Sequence, residues 1–371
     1  MNSFFKTADI LQQGAMTLPQ KYYVNDSIFK KELVNIFFNG WLCCGRNQDI
    51  PKPGDYNLIN IGNESIIILR DEKLGIKAFY NLCRHRGTKI CIKDEGRFSK
   101  SIQCPYHGWT YDLQGKLHSA PNMEAVNDFI KGDYSLHEII IAEWERFIYI
   151  NLSDKPNDFA LEFSPLMNYF SEWEMGGLLT IKSKTYHVNC NWKLIIQNFS
   201  ECYHCPIIHP TLANITPYLG GRNDMVSGPF LGGYMKIKSD SITKNGKLCG
   251  PIFGKLSAKN VNRVYYYSLF PNMLLSLHPD YVMYHVVWPI SSDKCTINCS
   301  WLFSHKINED SDYKPENAID FWDKTNLEDW KICEQSYLGI KSNKYSPGPY
   351  SGQESLLAAY DEHYLGILNK V

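Results

Sequence analysis

Two short segments of the chain each place one cysteine close to one histidine. Cys83 and His85 are separated by one residue; after 18 intervening residues Cys104 follows, and then His107. A zinc-finger site would usually pair cysteine with cysteine and histidine with histidine. One thiolate and one imidazole from each loop instead suit a [2Fe–2S] centre, in which two cysteines hold one iron and two histidines hold the other. The spacing therefore predicts that Cys83, His85, Cys104 and His107 bind such a cluster.

A second group of metal-ligating residue types lies further along the chain. Glu201 and His204 are three residues apart, and His209 follows after four more residues. If the helix predicted for residues 192–203 ends at Cys205, before a proline, both histidines can face one metal, and Glu201 lies beside His204 on one helical face. Two histidines and one carboxylate form the facial triad that leaves positions on Fe(II) open for O₂. By position alone, Glu201 could be that carboxylate.

The first two loops carry a family resemblance. Cys83-Arg84-His85-Arg86-Gly87 and Cys104-Pro105-Tyr106-His107-Gly108-Trp109 resemble the cluster loops of Rieske proteins, in particular those of Rieske non-haem iron oxygenases. The glycines at 87 and 108 would allow tight turns at the cluster. The resemblance extends from about Tyr22 to the C-terminus, so it covers nearly the whole chain.

The resemblance changes the assignment of the carboxylates. In this family the acid just before the first iron-binding histidine bridges the Rieske and iron sites, and a later acid binds iron. It therefore implies that Glu201 is the bridge and that His204, His209 and Asp329 hold a mononuclear iron. Asp323 and Asp320 are the weaker candidates for the third ligand. The match is imperfect, since family members often have Gln where Tyr337 stands here.

The implied fold is α+β, with an antiparallel β Rieske [2Fe–2S] domain and a helix-grip catalytic domain, in which an antiparallel sheet wraps on a long C-terminal helix. We expect residues 1–40 to form a helical segment that packs on the catalytic domain. The Rieske domain is expected at residues 41–155 and the catalytic, mononuclear iron domain at 156–371.

The implied activity is that of the terminal oxygenase in a multicomponent system, a mono- or dioxygenase acting on a small organic substrate with O₂. The chain has neither a GxGxxG motif after a strand nor a P-loop, so electrons are expected from a separate reductase, or a ferredoxin plus a reductase, fed by NAD(P)H. They would pass from the cluster through His107, Glu201 and His204 to the iron. Family members are commonly homotrimers, in which the cluster of one subunit serves the iron of its neighbour.

Local patterns predict the elements that position these residues. A helix capped by Asp26 or Ser27 ends the first segment, and a polar stretch at 153–158 marks the expected domain boundary. The predicted strands are 66–69, 76–80, 102–104 and 147–151, then a strand pair at 265–276 and 281–289. A long amphipathic helix, with one possible break, is predicted for residues 317–340.

The substrate is the least constrained feature. The run Glu201-Cys202-Tyr203-His204-Cys205 resembles oxygenases that demethylate glycine betaine, proline betaine and carnitine, which favours a methylated amine. Aromatic residues on the predicted strand pair could hold a quaternary ammonium group by cation–π attraction, although most are expected to pack in the core. These residues are Tyr265, Tyr266, Tyr267, Phe270, Tyr281, Tyr284 and Trp288.

Alternatives to this reading remain open. The same aromatic wall would also suit hydroxylation of an aromatic ring or aromatic acid. Two further classes are a non-catalytic Rieske electron-transfer or ligand-binding protein and a zinc-stabilised binding protein.

The amino-acid composition argues against some classes of binding partner. Thirty-eight basic and 39 acidic residues give a net charge of −1, which argues against a nucleic-acid partner and a polybasic membrane anchor. We expect a cytoplasmic protein because no apolar run is long enough for a membrane span and the first residues lack a signal-peptide pattern. Twelve cysteines in such a compartment predict no disulfide framework. Most are expected to be buried thiols: Cys43, Cys44, Cys91, Cys190, Cys249, Cys295, Cys299 and Cys333.

Overall fold

The computed structural model describes residues 14–224, 228–308 and 312–370. These residues form two compact units: Phe38–Pro156, and the described residues before and after that stretch. Both helices and antiparallel sheets are present, which confirms the α+β class. Within the described ranges, no helix is both long and apolar enough to cross a membrane.

The Phe38–Pro156 unit is built from antiparallel sheets in the orders β1-β10-β9, β4-β3-β2-β5 and β6-β7-β8. Two of the strands, β4 and β10, have the predicted bounds. The strand predicted at 102–104 ends one residue early, because the Cys104 amide turns away to bond Trp109 O. The strands are β1 (Leu42–Arg46), β2 (Asp55–Ile61), β3 (Glu64–Arg70), β4 (Ile76–Tyr80), β5 (Glu95–Arg97), β6 (Ser101–Gln103), β7 (Thr110–Asp112), β8 (Leu117–Ser119), β9 (Ile140–Trp144) and β10 (Phe147–Asn151).

The second unit contains one seven-stranded antiparallel sheet, in the order β11-β17-β16-β15-β14-β13-β12. The single strand predicted at 265–276 is wrong. The chain reverses at Phe270–Asn272 and forms two paired strands, since Pro271 has no N–H to give to a continuous ladder. The strands are β11 (Leu179–Val188), β12 (Gly221–Asn223), β13 (Phe230–Lys236), β14 (Arg263–Leu269), β15 (Met273–Leu277), β16 (Val282–Ser291) and β17 (Lys294–Phe303).

The helices of the second unit differ from prediction at two ends. Asn25, not Asp26 or Ser27, caps α2, because its side-chain oxygen accepts the amides of Ser27 and Ile28. The helix predicted for residues 192–203 ends at Phe199, whereas the long helix predicted at 317–340 is present without a break. The helices are α1 (Lys21–Val24), α2 (Asp26–Glu32), α3 (Phe159–Tyr169), α4 (Trp192–Phe199), α5 (Cys205–Ile208), α6 (Pro210–Ile215), α7 (Ala258–Val261), α8 (Glu316–Ile340) and α9 (Ser355–Leu368).

A buried ion pair ties α2 to the start of α4. Lys193 Nζ lies 2.5 Å from Glu32 Oε1, and neither side chain is exposed to solvent. The other Glu32 oxygen accepts the Trp192 indole N–H at 2.9 Å, and the hydroxyl of Tyr364 on α9 also donates to Oε1. Because α4 leads directly to Glu201, this network fixes the position of the helix that precedes the second candidate site.

Candidate functional site

The two candidate cluster loops have the same backbone form. The Gly87 amide bonds the carbonyl of Cys83 at 2.9 Å, and the Gly108 amide bonds that of Cys104 at 3.2 Å. Gly87 and Gly108 have φ values of 71° and 72°, which a residue with a Cβ adopts at a cost. The predicted tight turns are therefore present, and each returns the chain so that a cysteine and a histidine lie on the same loop.

The cysteines and histidines of these loops differ in exposure. Cys83 and Cys104 belong to the hydrophobic core of the Phe38–Pro156 unit, together with Trp109 and Tyr111. The Tyr111 hydroxyl lies 3.3 Å from Cys83 Sγ, within reach to donate to a thiolate sulfur. The histidines, in contrast, lie at the surface of the unit. A cluster held here would have its cysteine-bound iron buried and its histidine-bound iron near solvent.

The Nδ1 atoms of the two histidines face each other. Nδ1 of His85 lies 3.2 Å from Nδ1 of His107. Two imidazole nitrogens bound to one tetrahedral metal at about 2.1 Å lie about 3.4 Å apart, so this spacing fits a shared iron. Trp109 stacks on the His85 ring at 4.8 Å and 11°, which holds its plane. Burial, His107 and Arg86 lower the pKa of His85, which favours the neutral form that binds metal.

The second candidate site brings together His204, His209 and Asp329, with one ligand atom from each within 4.8 Å of the others. Both Nε2 atoms face the same carboxylate oxygen: His209 Nε2 lies 2.7 Å from Asp329 Oδ1, and His204 Nε2 lies 3.4 Å from it. Of the weaker candidates, Asp323 pairs with Lys184 and Asp320 pairs with Lys244, and neither is in this group. Two histidines and one carboxylate on one side fit a mononuclear iron with open positions.

The electrostatics of this group favour a bound cation. Burial opposes protonation of His204, but its hydrogen bonds with Asp329 and Glu201 outweigh burial and raise its pKa to about 10. Burial likewise opposes ionisation of Asp329, yet the hydrogen bonds with His204 and His209 lower its pKa. The site thus stabilises positive charge beside a carboxylate, and a metal ion would take the place of the protons.

Glu201 contacts His204, but not by the route predicted. The two residues do not share a helix, since α4 ends at Phe199, where the Ser200 hydroxyl donates to Ile196 O at 2.6 Å. In the loop that follows, Glu201 Oε2 accepts the amides of Tyr203 and His204. Glu201 Oε1 lies 2.5 Å from His204 Nδ1 and accepts its proton. A turn stabilised by the carboxylate itself therefore brings Glu201 to the histidine.

The same loop contains a disulfide bond between Cys202 and Cys205. The cysteine count and the expected compartment did not predict it. The eight cysteines predicted as buried thiols all lie outside the disulfide bond; seven of them are buried and Cys44 is half-buried.

A cavity of about 290 Å³ opens beside His204, His209 and Asp329. Of the seven strand aromatics considered from the sequence, only Tyr266 lines it, because alternation along β14 directs Tyr265 and Tyr267 to the opposite face. The other aromatic lining residues, which sequence reasoning missed, are Phe199, Tyr203, Tyr218, Tyr234, Trp322 and Trp330.

A helical spacing could have identified part of this wall. Trp322, Asn326 and Trp330 recur every four residues along α8, and Asp329 lies three residues after Asn326. All four line the cavity. The lining also contains one basic side chain: Arg222 is the one Lys or Arg among the described lining residues.

His285 forms part of the buried floor of the cavity. Its Nε2 lies 3.3 Å from Asn326 Oδ1, while the Asn326 amide nitrogen faces the Tyr186 hydroxyl. Burial lowers the pKa of His285 to about 4, so the imidazole is neutral near pH 7 and donates from Nε2. His285 therefore adds no charge to the cavity.

Comparison with known proteins finds one matching family model within each of the two units. Residues 40–130 match the Rieske [2Fe–2S] domain, and residues 175–370 match the ring hydroxylating alpha subunit (catalytic domain). The chain is 30% identical to the glycine betaine monooxygenase oxygenase subunit of Pseudomonas aeruginosa, over 98% of this chain and 93% of that one. It is 27% identical to the carnitine monooxygenase oxygenase subunit of Escherichia coli, over 90% and 86%.

Solved structures share the fold. A quaternary ammonium Rieske monooxygenase studied for carnitine oxidation superposes with a TM-score of 0.82 at 23% identity, over 98% of this chain and 96% of that chain. Naphthalene 1,2-dioxygenase from Rhodococcus sp. superposes with a TM-score of 0.77 at 18% identity, over 94% of each chain.

Proposed function

The chain belongs to the ring-hydroxylating alpha subunit family of Rieske oxygenases, and from this premise we propose that it oxidises a quaternary ammonium compound and releases one N-methyl group as formaldehyde. The protein is an oxygenase subunit with a [2Fe–2S] cluster and a mononuclear iron, and a separate reductase supplies its electrons. The cluster supplies electrons singly, and the mononuclear iron supplies the chemistry of O₂ activation. A non-catalytic electron-transfer protein would leave the His204–His209–Asp329 group without a role.

The proposed reaction balances as a monooxygenation. One atom of O₂ enters a methyl C–H bond, and the other leaves as water after two electrons and two protons are supplied. The N-hydroxymethyl product then loses a proton, its C–N bond breaks, and formaldehyde and a tertiary amine are released. The chain contributes to this sequence by binding the cation next to the iron ligands and by limiting water around them.

One observation supports the quaternary ammonium substrate above others: the cavity beside the candidate iron ligands is lined by seven aromatic side chains. The faces of aromatic rings attract a methylated ammonium by about 0.5–2 kcal/mol per contact, and carboxylates nearby add to this attraction. Arg222 gives the same cavity a guanidinium that can pair with the carboxylate of a betaine. An unsubstituted aromatic ring would use the aromatic side chains but neither kind of charge, and an aromatic acid would use Arg222 but not the carboxylates.

We propose that Glu201 couples the two metal centres. One oxygen of its carboxylate accepts two backbone amides, while the other accepts only His204 Nδ1–H among the described residues. A lone pair on that oxygen thus remains for a second imidazole, and we assign this partner to His107 of another subunit. His107 and the neighbouring Tyr106 are exposed, as is Tyr203 beside Glu201.

We extend the same proposal to a homotrimer; the inter-subunit electron transfer studied in the quaternary ammonium Rieske monooxygenase supports a contact between subunits. Exposed apolar side chains next to the iron ligands, Ile207 and Leu327, offer contact area for such an interface. We also propose the cytoplasm as the working compartment, where NAD(P)H is available to the reductase.

A single-turnover experiment tests the substrate without the native reductase. The holoprotein is reduced with dithionite, freed of excess reductant, and mixed with O₂ and either glycine betaine, L-carnitine, choline or an aromatic carboxylate. We expect formaldehyde and the tertiary amine from at least one ammonium compound, and none from a His209→Ala control. Trimethylamine in place of formaldehyde would mean that a chain carbon, not a methyl carbon, is oxidised. A hydroxylated aromatic acid with no product from any ammonium compound would refute the proposal and leave the oxygenase assignment intact.

A further inference from the structure

Each histidine of the candidate iron site has a carboxylate on the nitrogen that points away from the metal position. His204 Nδ1 contacts Glu201 Oε1 at 2.5 Å, and His209 Nδ1 contacts Glu328 Oε2 at 2.7 Å. The two pairs look alike, but the family resemblance assigns a role to Glu201 and none to Glu328. The structure alone brings Glu328 to this position.

We infer that Glu328 is a positioning residue for His209, which holds the imidazole in the tautomer and orientation needed to bind iron. By accepting the Nδ1 proton, Glu328 leaves the lone pair on Nε2, the atom that faces Asp329 at 2.7 Å. A carboxylate behind a metal-bound histidine also makes the imidazole a stronger ligand. This inference rests on the iron site of the proposed function and not on the identity of the substrate.

The Glu328 carboxylate comes from the same helix as the candidate iron ligand Asp329. Glu328 and Asp329 are consecutive residues of α8, and successive side chains on a helix diverge by about 100°. They therefore reach the His209 ring from two sides, one at Nδ1 and the other at Nε2. The ring is almost fully buried, with 2% of the side chain exposed, so it has little room to rotate between these contacts. One helix thus provides both the metal ligand and the group that orients its neighbour.

Glu328 and Glu201 differ in what else they contact. Glu201 uses its second oxygen to close the loop that carries His204. The second oxygen of Glu328 instead faces Lys324, one turn earlier on α8, at 3.7 Å. That lysine is 72% exposed, so its attraction is screened by solvent. We therefore expect Glu328 to control iron affinity, and Glu201 to control electron transfer as well.

Metal affinity provides the direct test. The mononuclear iron is removed from the otherwise intact protein, the retained cluster is checked by its visible spectrum, and Fe(II) or Co(II) is titrated anaerobically. Glu328→Ala is expected to weaken binding by about 10–100-fold, as for other groups behind metal-bound histidines. Glu328→Gln, which keeps an acceptor without the charge, should be intermediate. Lys324→Ala is the matched control and should bind metal as the wild type does.

Electron transfer separates the two carboxylates. With the mononuclear site saturated, the reduced cluster of Glu328→Gln should be oxidised by O₂ and substrate at a rate within about twofold of wild type, whereas Glu201→Gln should be slow. Wild-type affinity in Glu328→Ala would overturn the inference. So would an equal loss in Lys324→Ala, because the surface ion pair would then set the affinity. If the wild-type protein itself binds no metal at this site, the proposed function fails, and the inference fails with it.

Discussion

The buried ion pair between Glu32 and Lys193 makes a sharp stability prediction. We consider the substitution Lys193→Met, which keeps the length and apolar stem of the side chain but removes its charge. Glu32 would then remain fully buried with only two neutral donors, the Trp192 indole and the Tyr364 hydroxyl. Breaking a buried pair by removing one partner typically costs about 3–5 kcal/mol, since the remaining charge is uncompensated.

Several contacts would be lost together. Lys193 Nζ also lies 5.2 Å from the Trp192 ring centroid and 5.0 Å from that of Tyr364, so cation–π attraction disappears with the ion pair. These contacts join the helix before Glu201 to the N-terminal and C-terminal helices. We therefore expect the loss near the upper end of about 3–5 kcal/mol.

The double variant Glu32→Gln with Lys193→Met supplies the matched control. It removes both charges and leaves polar atoms for the Trp192 and Tyr364 donors, so its loss should be less than half that of Lys193→Met alone. The measurement is the midpoint of urea unfolding, followed by far-UV circular dichroism, with the cluster spectrum recorded in parallel. A loss below about 1 kcal/mol for Lys193→Met, or a double variant as unstable as the single one, would refute the assignment of this pair as a compensated buried charge.

Four further outcomes follow from the site and its surroundings. His107→Ala should abolish the Rieske visible and EPR signals, since one of four cluster ligands is lost. Asp329→Ala should lower iron from about three to about two per chain while the cluster stays coloured. Arg222→Gln should raise KM for glycine betaine by about tenfold, and leave KM for choline, which lacks a carboxylate, nearly unchanged. Burial raises the pKa of Asp361 to about 7 despite hydrogen bonds from Tyr350 and Gln197, so the contribution of this group to the free energy of unfolding should fall as pH rises from about 4 to 7.

Each of these outcomes has a result that contradicts it. A full Rieske spectrum in His107→Ala would exclude that residue as a ligand, and retained mononuclear iron in Asp329→Ala would exclude the proposed triad. Equal changes in KM for both ammonium compounds would show that Arg222 does not bind the carboxylate of the substrate. For Asp361, the folded protein holds the proton more tightly than the unfolded chain, so the contribution of this group to stability is greatest at low pH. Thermal melts of Asp361→Asn should therefore show a smaller decline than the wild type, and an unchanged decline would assign it to another group.

The cluster loops could be predicted from the sequence because their geometry is local. A cysteine, a histidine and a glycine within five residues define each turn, and the same amide-to-carbonyl bond closes both. The long helix α8 was predictable for a similar reason, since its apolar spacing continues over many turns. The buried strands of the Phe38–Pro156 unit were identified by β-branched runs such as the one in β3.

Only the tertiary structure decided what surrounds the candidate iron site. Asp329 lies 120 residues from His209 in the chain, and the spacing of residues alone could not choose it over Asp323 or Asp320. The contact between Glu328 and His209 has no local signal, because it depends on how α8 packs against the loop after α4.

The sequence also could not predict where α4 ends or which aromatic residues line the cavity. Helical periodicity continued past Phe199, but side-chain hydrogen bonds from Ser200 and Glu201 compete with the helix and end it. Strand alternation indicated that only some tyrosines of β14 could reach a cavity, yet not which ones, because the side that faces the cavity is set by the helix packed on the sheet. Ligand residues that are close together in the sequence can be identified from their spacing. The residues that contact them from distant segments are brought there only by the tertiary fold.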